Sequence, residues 1–512
     1  MERDTIILFY PLVDKKRQVS NLPFPILYLE RMIRDSGLIT ILLDERISPD
    51  YEIIIEKNKD RILLAGVSAM IGYQMISGSK FSESIKKHTQ APVVWGGWYA
   101  NVLPELLLKL EFIDFVVVGQ GEIAFKELCL ALYQKLPLEN IKGLGYKDSN
   151  GIIINEKATL IDEKTFPNVD YSLIDINAII ESNGIPAPEE RSINYIATIG
   201  CPYDCHFCCL AAIWGKKFFA KKVDVILNDL ELFIKTGNIK KIAFDDDNFF
   251  GNKSFVQNLC NGIIDRGIQL KWEANAHVST FLKNYTEEDI RLIYKAGCRA
   301  IRLGAESGDQ EILVKVNKRI NVSDNYEIVK LLGKNKIKPV FYIMVAFPWD
   351  PDKDFKLTLD MVGKAKTINS NLEAGINFFV PLPKTKLYDE GIEYGFQPFK
   401  DHFELIDFIG KEYVAPWWKH DYRKELYIFL RVYFKYANPR HYKSQFGLLK
   451  IFSFIATIFL YPISYLRLRY GFRKAPFEAY IYFGLRRFLN AITGWNSKDD
   501  EESMARTRSW KR

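Results

Sequence analysis

The stretch Gly200-Cys201-Pro202-Tyr203-Asp204-Cys205-His206-Phe207-Cys208-Cys209-Leu210 decides how the rest of the chain is read. Cys201, Cys205 and Cys208 stand four and then three residues apart, a spacing that lets three thiolates converge on one small inorganic centre. Three thiolates on a four-iron cluster leave one iron without a protein ligand, and that iron can bind a substrate. Clusters that only carry electrons have every iron capped by protein, so the missing ligand argues for chemistry at the cluster. Cys209 follows Cys208 directly and reads as a neighbour that points away. A zinc site would want a fourth ligand at comparable spacing, and His206 is badly placed to supply it. Cys129, Cys260 and Cys298 are scattered in apolar surroundings and read as core thiols.

The 512 residues, 48% hydrophobic and 14% aromatic, suffice for about three domains. Glu2-Arg3-Asp4 is followed at once by a strand-like run, which is not a signal peptide and leads us to expect a cytoplasmic protein with reduced cysteines. The net charge of +7 is modest and gathers late in the chain, so it gives no reason to expect nucleic acid.

Upstream of the cysteines, apolar runs at 5–10, 38–43, 62–67, 93–95 and 115–118 alternate with amphipathic stretches such as 26–34 and 79–88. That alternation predicts an α/β domain built on a doubly wound parallel sheet over residues 1–140. Such sheets bind ligands at the carboxyl ends of their strands. The residues expected there are Ser68 after the third run, Gly96-Gly97-Trp98 after the fourth and Gly119-Gln120-Gly121-Glu122 after the fifth. Glycines at these ends let backbone approach a bulky ligand. The first run ends in Tyr10-Pro11-Leu12 and not in a glycine-rich turn, which disfavours a nicotinamide dinucleotide.

Residues 141–190 read as a hairpin turning at Asn150-Gly151, then an irregular linker holding Pro167, Pro186 and Pro188. Over 191–395, strand-like runs at 193–198, 241–244, 269–274, 299–303, 338–345 and 375–380 predict an incomplete parallel (β/α)6 barrel with reactive groups at its carboxyl-terminal face. Residues 396–490 form an aromatic and basic, mainly helical domain, and 491–512 a charged, disordered tail. Within the helical domain, 451–466 carries no charge, contains Pro462 and is flanked by Lys450, Arg467, Arg469, Arg473 and Lys474. It is short for a membrane span, so peripheral membrane contact through 450–474 and a helical lid on the barrel are equally open.

The cysteine run, with Phe207 just before its third cysteine, resembles the radical S-adenosylmethionine (SAM) enzymes. The upstream segments 22–26, 66–70, 95–98 with Pro104-Glu105, and 118–122 resemble the cobalamin-binding domain found in the cobalamin-dependent members. The resemblance implies a [4Fe-4S] cluster on Cys201, Cys205 and Cys208, SAM on its open iron beside Phe207, and cobalamin on Ser68, Gly96, Gly97, Trp98, Gly119, Gly121 and Glu122. None of the six histidines (His88, His206, His277, His402, His420, His441) stands in the Asp-x-His-x-x-Gly motif that ligates cobalt elsewhere. Cobalt would therefore lack a histidine ligand, its lower face vacant or shielded by Trp95 or Trp98.

Phe244-Asp245-Asp246-Asp247-Asn248-Phe249 resembles the family segment that contacts the SAM amino group, with Asp246 and Asp247 both candidates and a solvated turn the alternative. Gly304-Ala305-Glu306-Ser307-Gly308 matches a Gly-x-Glu-Ser-Gly element whose Glu306 and Ser307 would lie near SAM. Glu273, Asn275 and His277 share one side of a strand end and are pocket candidates. The chain departs from the family at 346–350, where Ala346-Phe347-Pro348-Trp349-Asp350 replaces Gly-x-Pro-Gly-Glu, and at Lys384, a usual glycine position. Both changes are expected to enlarge or charge the pocket rim.

The resemblance implies a methyltransferase acting at an unactivated carbon: one SAM yields a 5′-deoxyadenosyl radical that abstracts hydrogen, the substrate radical takes a methyl group from cobalamin, and a second SAM restores it. Ring formation or oxidation of the anaerobic porphyrin cyclase type is the alternative within the family, and a non-catalytic cobalamin or iron-sulfur sensor the alternative outside it. The implied partners are a hydrophobic small molecule, such as a lipid, polyketide or tetrapyrrole, and an external electron donor such as flavodoxin or ferredoxin.

Overall fold

The apolar runs of the first 140 residues pair as parallel strands, buried between helices on both faces except in the half-exposed edge strand Ile39–Asp44. A computed structural model describes residues 3–14, 21–182, 184, 186–410, 413–444 and 447–493. The charged tail expected over 491–512 lies outside the described residues from 494 onward.

Strands β1 (Thr5–Tyr10), β2 (Ile39–Asp44), β3 (Ile62–Ser68), β4 (Val93–Gly96) and β5 (Phe115–Val117) pair in the order β2-β1-β3-β4-β5. The hairpin β6 (Leu144–Asp148) and β7 (Gly151–Ile154) then adds to β5 antiparallel, giving seven strands. Asp148 pairs with Gly151, so the two-residue turn is Ser149-Asn150 and not Asn150-Gly151. The Asp148 carboxylate accepts the Asn150 N–H at 2.7 Å and starts the turn one residue early. Gly151, at φ +122°, opens the return strand.

Trp95 is fully buried beneath this sheet, and its indole N–H donates to Ser82 Oγ at 2.9 Å. It packs the core, which removes it as a shield for a ligand above the strand ends. Its ring explains Gly78 in the middle of the helix Tyr73–His88. A Cβ there would lie 2.8 Å from the Trp95 ring and 2.9 Å from Val67.

The second sheet is parallel throughout. It contains β8 (Ser192–Tyr195), β11 (Lys241–Phe244), β12 (Lys271–Ala276), β13 (Cys298–Glu306), β14 (Lys338–Val345) and β15 (Glu373–Phe378), neighbours in that order. Six strands with outer helices make an open half barrel. The expected run at 193–198 divides, because the chain leaves β8 after Tyr195 and pairs again only as β9 (Thr198–Ile199) with β10 (Phe219–Ala220). The cysteines hang in the loop between β9 and β10.

The helix Phe24–Ile33 joins the two sheets. Its Ile26 and Ile33 belong to the core of the first sheet, while Phe24, Leu27 and Tyr28 belong to the core of the barrel. Behind it Lys221 is buried, donating to Tyr28 Oη at 3.0 Å and facing the Phe24, Tyr28 and Tyr195 rings.

The carboxyl-terminal region packs in two places. The helix His402–Gly410 lies on the first sheet, with Leu405 in its core. His402 is fully buried between Ser79 Oγ (3.0 Å) and Tyr99 Oη (2.8 Å). By contrast, the π-turn Phe429–Phe434, which continues the helix Arg423–Ile428, and the helix Gly447–Tyr470 pack on the barrel helix Pro351–Ile368.

Candidate functional site

The carboxyl ends of β3, β4 and β5 face the start of the half barrel across a cavity of about 500 Å3. Ser68, Gly96, Gly97, Trp98, Gly119, Gly121 and Glu122 all line it. From the barrel side come Asn194, Ile196, Thr198, Ile199, Asp245 and Asp247, and the helix after the cysteines adds Ile213 and Trp214. The first-sheet rim is shaped by backbone. Gly119, at φ +94°, donates its N–H to Asn101 Oδ1 at 2.6 Å, and a Cβ on it or on Gly96 would meet nothing within 4 Å. Gly97, at φ +85°, sits where a Cβ would strike Ala69 O at 2.8 Å. A large flat ligand can therefore rest on this backbone, with apolar walls from Leu22, Phe24, Tyr28 and Phe125.

Glu122 differs from its expected role. Its carboxylate lies 3.3 Å from the guanidinium of Arg31, which also pairs with Glu163 at 2.9 Å, and all three are buried. Burial, reinforced by Glu163, raises Glu122 to about 7 against the pull of Arg31. Its carboxylate ties the first sheet to the linker, although the residue borders the cavity.

The cysteine loop is held by the aspartates after β11. Asp246 Oδ1 accepts the N–H groups of Ala197 (3.1 Å) and Thr198, and Asp247 Oδ2 accepts that of Gly200 at 2.9 Å. Burial raises Asp246 to about 7 and Asp247 to about 6, the backbone N–H groups opposing it. The turn is therefore not solvated, and of the pair only Asp247 reaches the cavity lining. Five buried polar atoms around this loop have no protein partner: Thr198 Oγ1, Asp246 Oδ2, Asn248 Nδ2, Asn275 Oδ1 and His277 Nδ1. Buried polar atoms are nearly always satisfied, so such a concentration marks where a polar ligand completes the structure.

Burial raises the thiols of Cys201 and Cys205 and pushes that of Cys208 up to about 12. This burial favours the thiol over the thiolate, so iron binding there would have to displace the thiol protons. Among the described residues no three His, Cys, Asp or Glu side chains converge tightly enough for a single metal ion. Tyr203, inside the loop, stacks on His277 at 3.7 Å, and His277 Nε2 is 3.0 Å from the Lys318 carbonyl. Burial, then the Lys318 charge, pushes His277 down to about 3, so it stays neutral and donates through Nε2. His206 is 2.8 Å from the Lys315 carbonyl through Nδ1.

Glu306 lies beside the loop at φ +59° and is paired at 2.7 Å with Lys318, a residue without any sequence motif. Burial disfavours the Lys318 charge, but Glu306 and the nearby thiols outweigh it and raise its pKa. Ser307 turns away: fully buried, it donates to Asp354 Oδ1 at 2.7 Å and packs the helix Pro351–Ile368. Phe207 joins an apolar cluster with Val316, Phe347 and Phe379. Of the strand-end candidates, Glu273 faces Arg302 at 3.8 Å and Asn275 donates to the Asp246 carbonyl at 2.7 Å.

The two departures do not form a pocket rim as expected. Phe347 is fully buried and stacks on Trp349 and Phe379, which closes that corner. Lys384 reaches across to the Asn101 carbonyl at 2.8 Å and links the barrel to the first sheet. Both Ala346 and Lys384 keep the left-handed backbone, at φ +62°, that a glycine would favour.

Comparison with known proteins divides the chain in the same way. The B12-binding domain family matches residues 14–129 and the radical SAM superfamily residues 195–362. An uncharacterised methyltransferase of Pyrococcus horikoshii is 28% identical over 378 residues, covering 72% of this chain and 78% of its own. Bacteriochlorophyllide d C-12(1)-methyltransferase of Chlorobaculum tepidum is 27% identical over 279 residues, 54% of this chain and 55% of the relative. In three dimensions the cobalamin-dependent SAM radical enzyme OxsB, solved with aqua-cobalamin and SAM, superposes with a TM-score of 0.71 at 17% identity, covering 98% of this chain and 78% of OxsB. The chain carries a B12-binding domain over residues 14–129 ahead of a radical SAM domain over residues 195–362.

Proposed function

We propose that the chain is a cobalamin-dependent radical SAM methyltransferase acting on an unactivated carbon of a hydrophobic small molecule. The observation that carries this reading is the shared cavity, in which the glycine-ended strands of the first sheet face Asp247 and the edge of the cysteine loop. Cys201, Cys205 and Cys208 would hold the [4Fe-4S] cluster. When bound, the cluster, SAM and cobalamin supply a hydrogen-abstracting radical and a transferable methyl group.

The protein's own residues orient and exclude water. Asp247 presents a carboxylate to the SAM ammonium while its other oxygen fixes Gly200, and Glu306 reaches SAM only in company with Lys318. Gly96, Gly97, Gly119 and Gly121 would admit cobalamin close to backbone, and Trp98, which lines the same cavity, would pack against it. The apolar lining from Leu22 to Tyr28 and from Ile213 to Trp214 keeps water out. That lining and the similarity to a bacteriochlorophyllide methyltransferase support a hydrophobic substrate. The seven free cysteines suit a reducing, cytoplasmic setting, where flavodoxin or ferredoxin would deliver the electron.

The test is anaerobic incubation of reconstituted protein with reductant, methyl-labelled SAM and an extract of cells lacking the gene, followed by mass spectrometry. Label in a new metabolite supports the reading. A new product that has lost hydrogen without gaining label would replace it with cyclisation or oxidation.

A further inference from the structure

Surface helices of a water-soluble protein turn their apolar stripe inward. The helix Gly447–Tyr470 buries Ala456, Leu460 and Leu468 in the core but carries a second apolar stripe on the opposite side. Ile451, Ile455, Ile458, Phe459, Leu466 and Tyr470 recur at helical spacing on its outer face, with Phe459 68% and Tyr470 76% exposed. Ser453, Thr457, Ser464 and Arg467 are buried on its inner face. The next helix, Phe477–Thr493, repeats the pattern with Phe477, Ile481, Leu485 and Phe488, each more than half exposed. The two helices meet where Phe452 stacks on Tyr482 and Arg467 pairs with Glu478.

Lys450–Tyr470 is long and apolar enough to cross a membrane, but it is held lengthwise on the protein. Leu468 packs so closely on Gly363 that a Cβ there would lie 3.2 Å away, and Arg473 pairs with Asp360 and Glu425. A helix fixed along the barrel can lie in an interface but cannot span one. The charge around it has one sign: within 447–493 the single acid, Glu478, is paired with Arg467, whereas Lys450, Arg469, Lys474 and Arg487 are exposed. A second copy docking face to face would oppose these cations to each other.

We propose that the outward face of these two helices docks the protein into the interfacial layer of a bilayer containing anionic lipids. The apolar side chains enter the acyl boundary and the lysines and arginines meet the headgroups. This goes beyond the catalytic reading and does not depend on it.

Flotation of the full-length protein with phosphatidylcholine vesicles, with and without phosphatidylglycerol, tests it. The protein is expected to float with the anionic vesicles and to be released by salt. The double substitution Ile455→Ser, Phe459→Ser should lower the floated fraction about tenfold. Lys450→Gln with Lys474→Gln should reduce the preference for anionic vesicles. All four side chains face outward, so circular dichroism should be unchanged. Protein that stays at the bottom of both gradients, or floats regardless of these substitutions, overturns the proposal. So does a dimer in sedimentation that the apolar substitutions dissolve while the vesicles bind nothing.

Discussion

Lys318 and Glu306 form the most consequential pair beside the cysteine loop, because both are buried and each neutralises the other. Breaking such a pair costs more than deleting it, since one charge is left in a medium that cannot solvate it. Lys318→Met should lower unfolding free energy by about 3–5 kcal/mol. Adding Glu306→Leu should restore most of the loss, which urea denaturation of the single and double variants would show. Gly304→Ala should disturb the same pair, because its Cβ would fall 2.4 Å from Glu306 Oε1. At Ala346 the opposite is expected: relieving a left-handed backbone gains about 1–2 kcal/mol, glycine's extra freedom returns about half of that, and Ala346→Gly should raise stability by about 0.5–1 kcal/mol. The cysteine run stands out in the sequence because its pattern lies in local spacing. Lys318 does not, because it meets Glu306 only through the fold and leaves no trace in either residue's sequence neighbours.

At the scale of elements, a helix that the sequence places in the carboxyl-terminal region turns out to clamp the first sheet. Ser79 already donates to the Met75 carbonyl at 2.8 Å, so it accepts from His402 Nε2–H, and Tyr99 donates to Nδ1. The neutral imidazole fits both bonds, and among the described residues no buried carboxylate is bonded to the ring to favour its cation. Burial pushes His402 down to about 4, below its ordinary value near 6.5. The unfolded chain thus takes up a proton that the folded chain refuses, and the stability from this group is complete above about pH 6.5 and lost as pH falls towards about 4. The loss amounts to roughly 2–3 kcal/mol. The stability gap between the natural protein and His402→Phe should narrow by that amount between pH 7 and pH 4.5 in urea titrations.

Gly78→Ala is a second test at this scale. Alanine in a helix interior ordinarily gains about 1 kcal/mol over glycine. Here its Cβ meets Trp95 and Val67 below 3 Å, so overpacking should win and the variant should lose about 1–3 kcal/mol, read as a lower thermal midpoint. Strand positions were legible to within two or three residues because doubly buried strands are written as continuous apolar runs. The hairpin turn was displaced because Asp148, one residue earlier, supplies the acceptor that starts it.

In the whole molecule, the parallel strands of two sheets point their carboxyl ends at one cavity, with the helix Phe24–Ile33 buried against both. Each sheet is readable by itself, because each strand is written locally. Their facing each other is not, for it depends on a helix with two apolar sides, on Lys221 among three aromatic rings and on Lys384 reaching Asn101. That arrangement brings the glycine rim and the cysteine loop to one place, and it gives the account its central claim, that SAM is cleaved at a cluster held by Cys201, Cys205 and Cys208. The direct measurement is 5′-deoxyadenosine released from SAM by anaerobically reconstituted, reduced protein, compared with the triple variant Cys201→Ala, Cys205→Ala, Cys208→Ala. The account predicts slow release by the natural chain even without substrate, and none by the variant, which should also lack cluster absorbance. Release by both, or by neither when the natural chain carries its cluster, would contradict it.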